Sequence, residues 1–369
     1  MSKARDYHVT PDNYLKYVKN VVAGDKIYLS GGRYKNGLPL YFKNGNANSP
    51  ITIEGPENKP YAVFVGHSRR NTVSIVDSSY ITIRNINIDG NRQFVDGIKA
   101  EGHSEYAHHI TLENITIYNQ GRHQQIVGIS TKCPAWNWVI RDIDIDGAGT
   151  GMYLGDSDGY APFFNSVIEN NKIWNTIGYN LQVKHQIVRR EEISGMPRQG
   201  GETIIRNNIF SKSDNSSDRG LARPNVLVGH WPSGGAGKED VYRIYNNVFY
   251  RNPNEALFQG EGNIQLHNNI FYNDEDNGFP AIAIQRHNCI PRKINIFNNT
   301  VITKGTGIRI KDGDSHFKQQ VSDNRIFADV PLIGGEQKNN QHYSFDALEH
   351  EMPQITSLLN TLKTHDTHK

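Results

Sequence analysis

A short pattern of alternating apolar and polar residues recurs along most of the chain, and each copy runs into an Asn or Asp. The copies are IRNINI, LENITI, IRDIDI, IENNKI, IRNNIF, IYNNVF, LHNNIF, IFNNTV and VSDNRIF, with the turn residue at Asn85, Asn114, Asp142, Asn170, Asn207, Asn246, Asn268, Asn298 and Asp323. Successive copies lie 22 to 39 residues apart. Short strands at this spacing disfavour helical repeats and propeller blades, whose periods are roughly 33–50 residues. The pattern predicts an all-β, single-stranded right-handed parallel β-helix of about ten rungs, with an Asn turn in each rung.

A second apolar strand follows each Asn turn and reads Gly-Ile-x-Ile or a close variant. Its copies are GIKA (97–100), GIST (128–131), GMYL (151–154), NLQV (180–183), NVLV (225–228), ALFQ (256–259), AIAI (281–284) and GIRI (307–310). Side chains alternate between the two faces of a strand, so we expect the second and fourth residues to point inward. The third residue should point outward. Asn suits the turn because it tolerates left-handed backbone, and we expect its amide to bond to the Asn stacked above or below.

The two ends of the chain carry a different, helical pattern. In PDNYLKYVKNVV the apolar residues fall at helical spacing, which predicts a cap helix over about 11–25. Apolar residues return to helical spacing after about 340, which predicts a C-terminal cap or tail over 340–369. A solenoid needs a cover at each end because an open rung is an unpaired sheet edge. We therefore predict one domain, 1–369, with the β-helix over about 26–335.

Composition narrows the class of protein further. The chain has 369 residues, a formal charge of +2, 40 Asn and only two Cys. It contains no apolar run of about 18 residues, so no membrane span is expected, and its near-neutral charge argues against a nucleic-acid partner. Cys133 and Cys289 fall five rungs apart, too far for a disulfide, and should be free thiols. We expect a monomer that is secreted or periplasmic, although no signal peptide is recognisable in the sequence.

Stacking the rungs aligns the outward residues into columns about 4.8 Å apart. In the middle rungs these columns gather amide, imidazole, ammonium, guanidinium and aromatic groups, a mixture that suits a sugar acid. The members are Tyr153, Gln182, Lys184, His185, His230, Trp231, Phe258, Glu261, Arg286 and Lys132. Trp231 and Phe258 are expected to stack on sugar rings, and the charged groups to hold carboxylates.

Two long insertions flank this cluster, at 186–202 and 211–224. Long loops beside a rigid scaffold are common binding sites. The first insertion carries Arg189 and the second carries Arg223, so both are predicted to contact substrate. Pairing with acidic residues of the same loops is an equally good explanation for either arginine.

These features resemble the pectate-lyase-like superfamily over residues 11–330. Besides the stacked Asn turns, the opening VVAGDKIYLSGGRY followed by NSPITIEG is similar to that of the chondroitinase B and alginate lyase branches. The pairing of Tyr153 with Lys184 on the next rung looks most like alginate lyases of polysaccharide lyase family thirty-one. That resemblance implies a lysine and a tyrosine acting as base and acid. The superfamily also contains hydrolases, epimerases and tailspikes, so the fold alone does not give the function.

The resemblance implies a lyase that cleaves an acidic, uronate-rich polysaccharide by β-elimination, with alginate as the leading substrate. Lys184 and Tyr153 are the predicted base and acid, in an order that the sequence does not decide, and His185 or His230 is an alternative base. Arg286 is predicted to stabilise the carboxylate and the developing enolate charge. Three alternatives stay open: a glycoside hydrolase, a uronate epimerase, and a non-catalytic glycan-binding or tailspike module.

No metal site is predicted. The chondroitinase B group uses calcium with a lysine in an N-x-S-x-K-S stretch, whereas Lys184 stands in NLQVKHQ. Calcium prefers six to eight oxygen ligands, and the best set in the sequence is Glu202 with Asn180 and Asn225. We therefore expect activity without calcium or another cofactor.

Overall fold

The computed structural model describes residues 4–102 and 104–366, in which short β-strands predominate. The first strands are β1 (Asp6–Val9), β2 (Lys26–Leu29), β3 (Gly32–Tyr34), β4 (Leu38–Tyr41), β5 (Ile51–Glu54), β6 (Ala62–Val65), β7 (Val73–Val76), β8 (Ser78–Asp89), β9 (Ile98–Ala100), β10 (Ala107–Tyr118), β11 (Val127–Thr131), β12 (Ala135–Trp136), β13 (Val139–Asp146), β14 (Thr150–Leu154), β15 (Phe163–Phe164), β16 (Val167–Glu169) and β17 (Lys172–Trp174). The remaining strands are β18 (Leu181–Val183), β19 (Glu202–Arg206), β20 (Ile209–Ser211), β21 (Val226–Val228), β22 (Val241–Tyr245), β23 (Val248–Tyr250), β24 (Phe258–Gly260), β25 (Ile264–His267), β26 (Ile270–Asn273), β27 (Ile282–Ile284), β28 (Ile294–Phe297), β29 (Thr300–Thr303), β30 (Thr306–Ile310), β31 (Gln319–Ser322), β32 (Arg325–Phe327), β33 (Val330–Ile333), β34 (Glu336–Lys338) and β35 (Gln341–Tyr343). The α-helices are α1 (Tyr14–Val18), α2 (Leu348–Glu351) and α3 (Pro353–Asp366), with 3-10 turns at Arg219–Leu221 and Phe345–Ala347.

The strands form two stacked sets. Eleven of them make one sheet, here called the cleft sheet, in the order β4, β7, β9, β11, β14, β18, β21, β24, β27, β30, β33. The other 24 form a second hydrogen-bonded network around the rest of the coil. Neighbouring strands of the cleft sheet are parallel, so that Ser130 lies opposite Lys99 on one side and Tyr153 on the other. The prediction of a mainly β protein built as a parallel coil is confirmed.

Apolar columns fill the interior of the coil, because the same inward position recurs in every turn. In the cleft sheet one column is fully buried: Ile98, Ile129, Met152, Leu181, Val226, Phe258, Ile282 and Ile308. The predicted alternation of inward and outward residues is therefore confirmed in seven of the eight Gly-Ile-x-Ile segments. The exception is ALFQ, where Phe258 instead of Leu257 occupies the inward column.

The nine predicted Asn and Asp turns all adopt left-handed backbone, with φ between 50° and 57°. Asn and Asp accept this conformation at lower cost than other L-residues, because their short polar side chains bond locally. The turn residue therefore recurs for a conformational reason, as predicted.

The expected amide ladder lies mainly one residue further on. Its members are buried and stack in the order Asn171, Asn208, Asn247, Asn269, Asn299 and Asn324, ending at the half-buried Asn340. Each Nδ2 donates to the Oδ1 of the next residue at 2.9–3.0 Å. The second Asn of each Asn-Asn pair points inward, where its amide satisfies buried backbone groups as well as its neighbour.

The N-terminal helix is shorter than predicted. It covers only Tyr14–Val18, within the expected 11–25, and β1 before it already pairs with β2 of the coil. Tyr14 and Val18 are buried, and the ring of Tyr14 meets that of Tyr34 edge to face at 5.0 Å. Residues 19–25 form turns and irregular structure. The helical spacing of their apolar residues therefore does not correspond to a helix.

The two C-terminal helices, α2 and α3, cover a side of the coil. Leu348 and Leu359 pack on an outward apolar column that consists of Tyr250, Tyr272, Ile302 and Phe327. The edge strand β33 pairs with β30, and its Val330 and Ile333 are 43% and 45% exposed. The prediction that this segment caps the end was wrong because its apolar face matches that lateral column. Residues 367–369 of the predicted tail lie outside the described part.

Two smaller predictions concern the thiols and the membrane. Cys133 is buried, Cys289 is half-buried, and both are free thiols, as expected. Within 4–102 and 104–366, no helix combines the length and the apolar character needed to span a membrane.

Candidate active site

Four outward residues of the cleft sheet form the floor of a cavity of about 730 Å³: Lys99, Tyr153, Gln182 and Gln259. The strand register places them in one column together with Ser130 and Leu227, which do not line the cavity. The walls come from segments on both sides of the strands: Asp96 and Tyr179, for example, precede β9 and β18, whereas Lys132, Lys184 and His287 follow β11, β18 and β27. The cavity is lined by Asp96, Lys99, Gln124, Gln125, Val127, Lys132, Thr150, Tyr153, Tyr179, Gln182, Lys184, Ala222, Arg223, Pro224, Glu255, Gln259 and His287.

Tyr153 lies at the centre of this floor, between two lysines. The Nζ of Lys132 is 3.5 Å from the centroid of the Tyr153 ring, and the Nζ of Lys184 is 5.8 Å from it. The Tyr153 hydroxyl shares a 3.1 Å hydrogen bond with the Ser157 hydroxyl. An ammonium group over an aromatic ring is attracted by the ring's quadrupole, which helps to hold the three side chains together.

Gly155 makes room for this arrangement. It occupies the lysine position on the middle rung, between Lys132 and Lys184, and has φ +105°. A Cβ at Gly155 would lie 2.9 Å from the Cβ of Lys184. The Nζ of Lys132 donates to the Gly155 carbonyl at 3.2 Å. A larger residue would therefore displace Lys184 and strain the turn.

The pKa of Lys132 is lowered to about 8. Burial is the main cause, and the positive charges of Lys99 and Lys184 lower this pKa further, whereas Asp96 and Asp156 raise it. Asp96 accepts hydrogen bonds from the Ser130 hydroxyl at 2.7 Å and the Val127 amide at 3.1 Å. Lys132 is thus a cation that loses its charge in the mildly alkaline range.

The opposite wall is built around Arg223. Its guanidinium lies 5.9 Å from the ring centroid of Tyr179, and its carbonyl accepts a 2.6 Å hydrogen bond from the Nζ of Lys212. Lys212 is wholly buried, and burial lowers its pKa to about 7. Burial also raises the pKa of Glu255, which lines the same end of the cavity. Arg223 is consequently held by its backbone, and its charged end borders the cavity.

Five of the predicted residues line the cavity together: Tyr153, Lys184, Gln182, Lys132 and Arg223. The two predicted histidines lie beside it, with the His185 and His230 rings stacked 5.3 Å apart. Burial is the main cause that lowers the pKa of His185, followed by the charges of His230 and Lys184. Arg286 is exposed and lies outside the lining residues given above.

Both predicted sugar-stacking residues are buried, and their expected contact with substrate is wrong. Phe258 faces the interior. The sequence could not show this, because Leu257 and Phe258 are both apolar and either one fits the inward position. Gln259 takes the outward position instead. Trp231 is 1% exposed and stacks on Tyr242 inside the protein at 4.3 Å between centroids.

Arg189 and Glu261 are also buried, which contradicts their predicted contact with substrate. Arg189 forms an ion pair with Asp240 and stacks over the Phe164 ring, its Cζ 3.4 Å from the centroid. The acidic partner lies outside the loop that carries Arg189. Glu261 accepts the Cys289 amide at 3.0 Å, together with the two preceding backbone amides, and so fixes the turn after β27.

Most of the polar residues that line the cavity were not predicted from the sequence. They are Lys99, Asp96, Gln124, Gln125, Tyr179, Glu255, Gln259 and His287. Several of them stand one to four residues before a Gly-Ile-x-Ile segment. Aligning the residues before each strand, as well as those after it, would have found Asp96, Gln124, Gln125, Tyr179 and Glu255.

The residues named as the best calcium set do not face the cavity. Asn180 and Asn225 are fully buried, and their amides donate to backbone carbonyls such as Ser211 O and Phe210 O. Glu202 pairs with Arg243 at 3.1 Å. Among the residues that the structure describes, no group of three or more His, Cys, Asp or Glu side chains is placed to hold a metal ion.

Comparisons with known proteins support the fold. No family model and no curated protein matches the sequence. The GH136 lacto-N-biosidase from Eubacterium ramulus is similar in structure, with 12% identity over 92% of this chain and 68% of that one and a TM-score of 0.50. The catalytic domain of a GH87 alpha-1,3-glucanase gives 13% identity, 91% and 66% coverage and a TM-score of 0.52. An alginate lyase from Paenibacillus sp. str. FPU-7 is 15% identical over 92% of this chain and 98% of that one, with a TM-score of 0.40. The lacto-N-biosidase and the glucanase show a shared fold and, at 12% and 13% identity, nothing more, so the activity of this chain has to be argued from the cavity.

Proposed function

We propose that this protein is a polysaccharide lyase that cleaves an acidic, uronate-containing polysaccharide by β-elimination, with alginate as the leading substrate. The observation that carries the proposal is the position of Tyr153 between the ammonium groups of Lys132 and Lys184. A phenol and two amines in one cavity supply proton acceptors, proton donors and positive charge. These are the groups that elimination next to a carboxylate requires.

The reaction can be assigned to residues atom by atom. Lys132, with Arg223 along the cavity, neutralises the uronate carboxylate and the charge that develops on it when the C5 proton leaves. Lys184 or Tyr153 removes that proton. The electron pair of the C5–H bond forms the C4–C5 double bond and the C4–O4 bond breaks. Whichever of Lys184 and Tyr153 did not act as the base then protonates O4. Which residue acts as base depends on the C5 configuration of the sugar.

A hydrolase requires two carboxyl groups about 5–10 Å apart across the scissile bond. The acidic residues that line the cavity are Asp96, which precedes β9, and Glu255, which precedes β24. Five strand steps separate these two strands, which corresponds to about 24 Å at the usual spacing. This separation favours elimination over hydrolysis. The name of the Paenibacillus relative, an alginate lyase, is consistent with the leading substrate.

Incubation with alginate, pectate and glycosaminoglycans tests the proposal. Elimination creates a C4–C5 double bond, so ultraviolet absorbance should rise with at least one of these polymers. New reducing ends without absorbance would indicate a hydrolase. A changed C5 configuration without chain cleavage would indicate an epimerase, and binding without any product a glycan-binding module. Each of these three results would overturn the lyase assignment.

A further inference from the structure

An exposed phenylalanine stands beside one end of the cavity. Phe94 is 67% exposed and lies two residues before Asp96, which lines the cavity. A single exposed apolar side chain needs no explanation by itself. The neighbourhood of Phe94 is more specific, because a cation from the next rung approaches its ring.

That cation is Arg122. Its guanidinium carbon lies 5.5 Å from the centroid of the Phe94 ring, and its Nη1 donates to the Arg92 carbonyl at 3.4 Å. Arg122 is exposed and precedes Gln124, another lining residue, by two positions. Two neighbouring rungs therefore bring an aromatic ring and a guanidinium together next to the cavity lining, at the end that contains Lys99.

We propose that Phe94 and Arg122 form an outer subsite that binds one further uronate residue of a polysaccharide chain extending beyond the cavity. The inference rests on the proposed substrate class. The Phe94 ring offers an apolar face for a sugar ring, and the Arg122 guanidinium offers paired N–H donors for the sugar carboxylate. Lys99, which lines the same end of the cavity, carries a positive charge whose nearest acidic partner is Asp96, at 3.9 Å.

Such a subsite acts only on chains that are long enough to reach it. Short oligouronates occupy the cavity alone, so their affinity is independent of Phe94. Longer oligomers gain the additional contact, and their affinity should depend on both the aromatic ring and the guanidinium. This dependence on chain length separates a subsite from a general effect of either side chain on folding.

The test uses the full chain in a Tyr153→Phe background, which prevents turnover, and size-fractionated alginate oligosaccharides titrated by calorimetry. Phe94→Ala should weaken the binding of long oligomers by about three- to tenfold and leave trimers unchanged. Arg122→Gln should do the same and reduce the salt dependence of long-chain binding. Phe42→Ala is the matched control, because Phe42 is 70% exposed but follows β4, away from the cavity lining.

Equal losses at every chain length, no loss at any length, or a similar loss in Phe42→Ala would overturn the subsite. The outcome is distinguishable from failure of the proposed chemistry. If long oligomers bind through Phe94 but the wild-type protein yields no absorbance, the subsite stands and the lyase assignment falls. If absorbance rises and Phe94→Ala binds long chains normally, the lyase assignment stands and the subsite falls. If no oligouronate binds, both proposals fall.

Discussion

The ammonium nitrogen of Lys132 lies over the ring of Tyr153, 3.5 Å from its centroid. The two residues come from adjacent strands, β11 and β14, whose parallel register sets Ser130 opposite Tyr153. Lys132 stands two positions beyond Ser130 and its side chain leans across toward the next rung. There its Nζ donates to the carbonyl of Gly155, the corresponding residue on that rung. A Cβ at Gly155 would crowd Lys184, so this glycine leaves room for Lys184 beside the contact between Lys132 and Tyr153.

Lys184→Ala and Tyr153→Phe should each abolish most turnover. Losing a group that transfers a proton in the transition state costs roughly 10²–10⁴ in rate. Neither side chain is part of the apolar core, so the melting temperature should change little. Initial rates of absorbance increase, together with thermal unfolding, check the prediction. Lys311→Ala is the control, since Lys311 is exposed and lies outside the cavity lining. Normal turnover in Lys184→Ala with loss in His185→Ala or His230→Ala would transfer the base role to an imidazole.

The sequence could predict the coil because its determinants are local and repeated. Each turn needs a residue that tolerates left-handed backbone, and each strand needs alternating apolar positions. Tyr153, Gln182 and Lys184 followed from that periodicity. Phe258 did not, because two adjacent apolar residues fit both phases of the alternation. Tyr179 and Glu255 stand immediately before their strands, so the same periodicity extends to them. His287 lies in an irregular segment after β27, and its position depends on tertiary contacts that periodicity does not describe.

Substrate binding should weaken as the pH rises through about 8. The pKa of Lys132 is lowered to about 8, so the side chain is charged below this pH and neutral above it. KM for the polysaccharide should therefore increase above pH 8. Lys132→Met should raise KM at pH 7 by about 10- to 100-fold, the usual worth of a hydrogen bond to a charged group, and flatten this part of the KM profile. A lower kcat at unchanged KM would instead place Lys132 in the proton-transfer step.

Lys212→Met should stabilise the protein most at low pH. The pKa of Lys212 falls from 10.5 to about 7 on folding, chiefly through burial. Between these values the unfolded chain holds a proton that the folded chain lacks, so the free energy of unfolding rises with pH across this window. Below pH 7 the wild-type protein carries the full cost of a buried charge, which methionine removes. Urea unfolding at pH 6 and pH 10 should show a gain that is larger at pH 6 by a few kcal/mol.

The control for this measurement is Lys238→Met, because Lys238 is exposed. Its effect on the urea midpoint should be small and the same at both pH values. A gain in Lys212→Met that is independent of pH would show that the folded and unfolded chains bind the same number of protons at Lys212 across this range, so that folding does not lower its pKa and methionine acts by packing alone.

Adjacent asparagines of one rung should differ sharply in their tolerance of substitution. Asn247→Leu removes a buried amide that bonds to Asn269 and to two backbone carbonyls, and leaves the amide of Asn208 without its acceptor. We expect a loss of about 2–4 kcal/mol in the free energy of unfolding. Asn246→Gly should change stability by only a few tenths of a kcal/mol, because Asn246 is exposed at φ +55° and glycine adopts this backbone freely. Equal losses in the two variants would contradict the ladder's role.

Calcium removal should leave turnover unchanged. The proposed charge neutralisation comes from Lys132 and Arg223, and the oxygen ligands that the sequence suggested are buried or paired with arginine. Dialysis against a chelator, followed by the absorbance assay with and without added calcium, checks this. Loss of activity that calcium restores would show that a cation, and not these side chains alone, neutralises the carboxylate.

The asparagine ladder has a consequence for how such a protein can change. Consecutive ladder residues are separated by 16 to 39 positions in the sequence, yet their amides meet at 2.9–3.0 Å each time. The ladder thus fixes the spacing between rungs and leaves the number of residues in each rung free to vary. An insertion of a dozen residues raises one wall of the cavity and leaves the rungs above and below in register. Substrate specificity then depends on the loops of the cavity wall, whereas stability depends on the ladder and the strands. A loop of one rung can therefore be replaced by another while the strands stay unchanged.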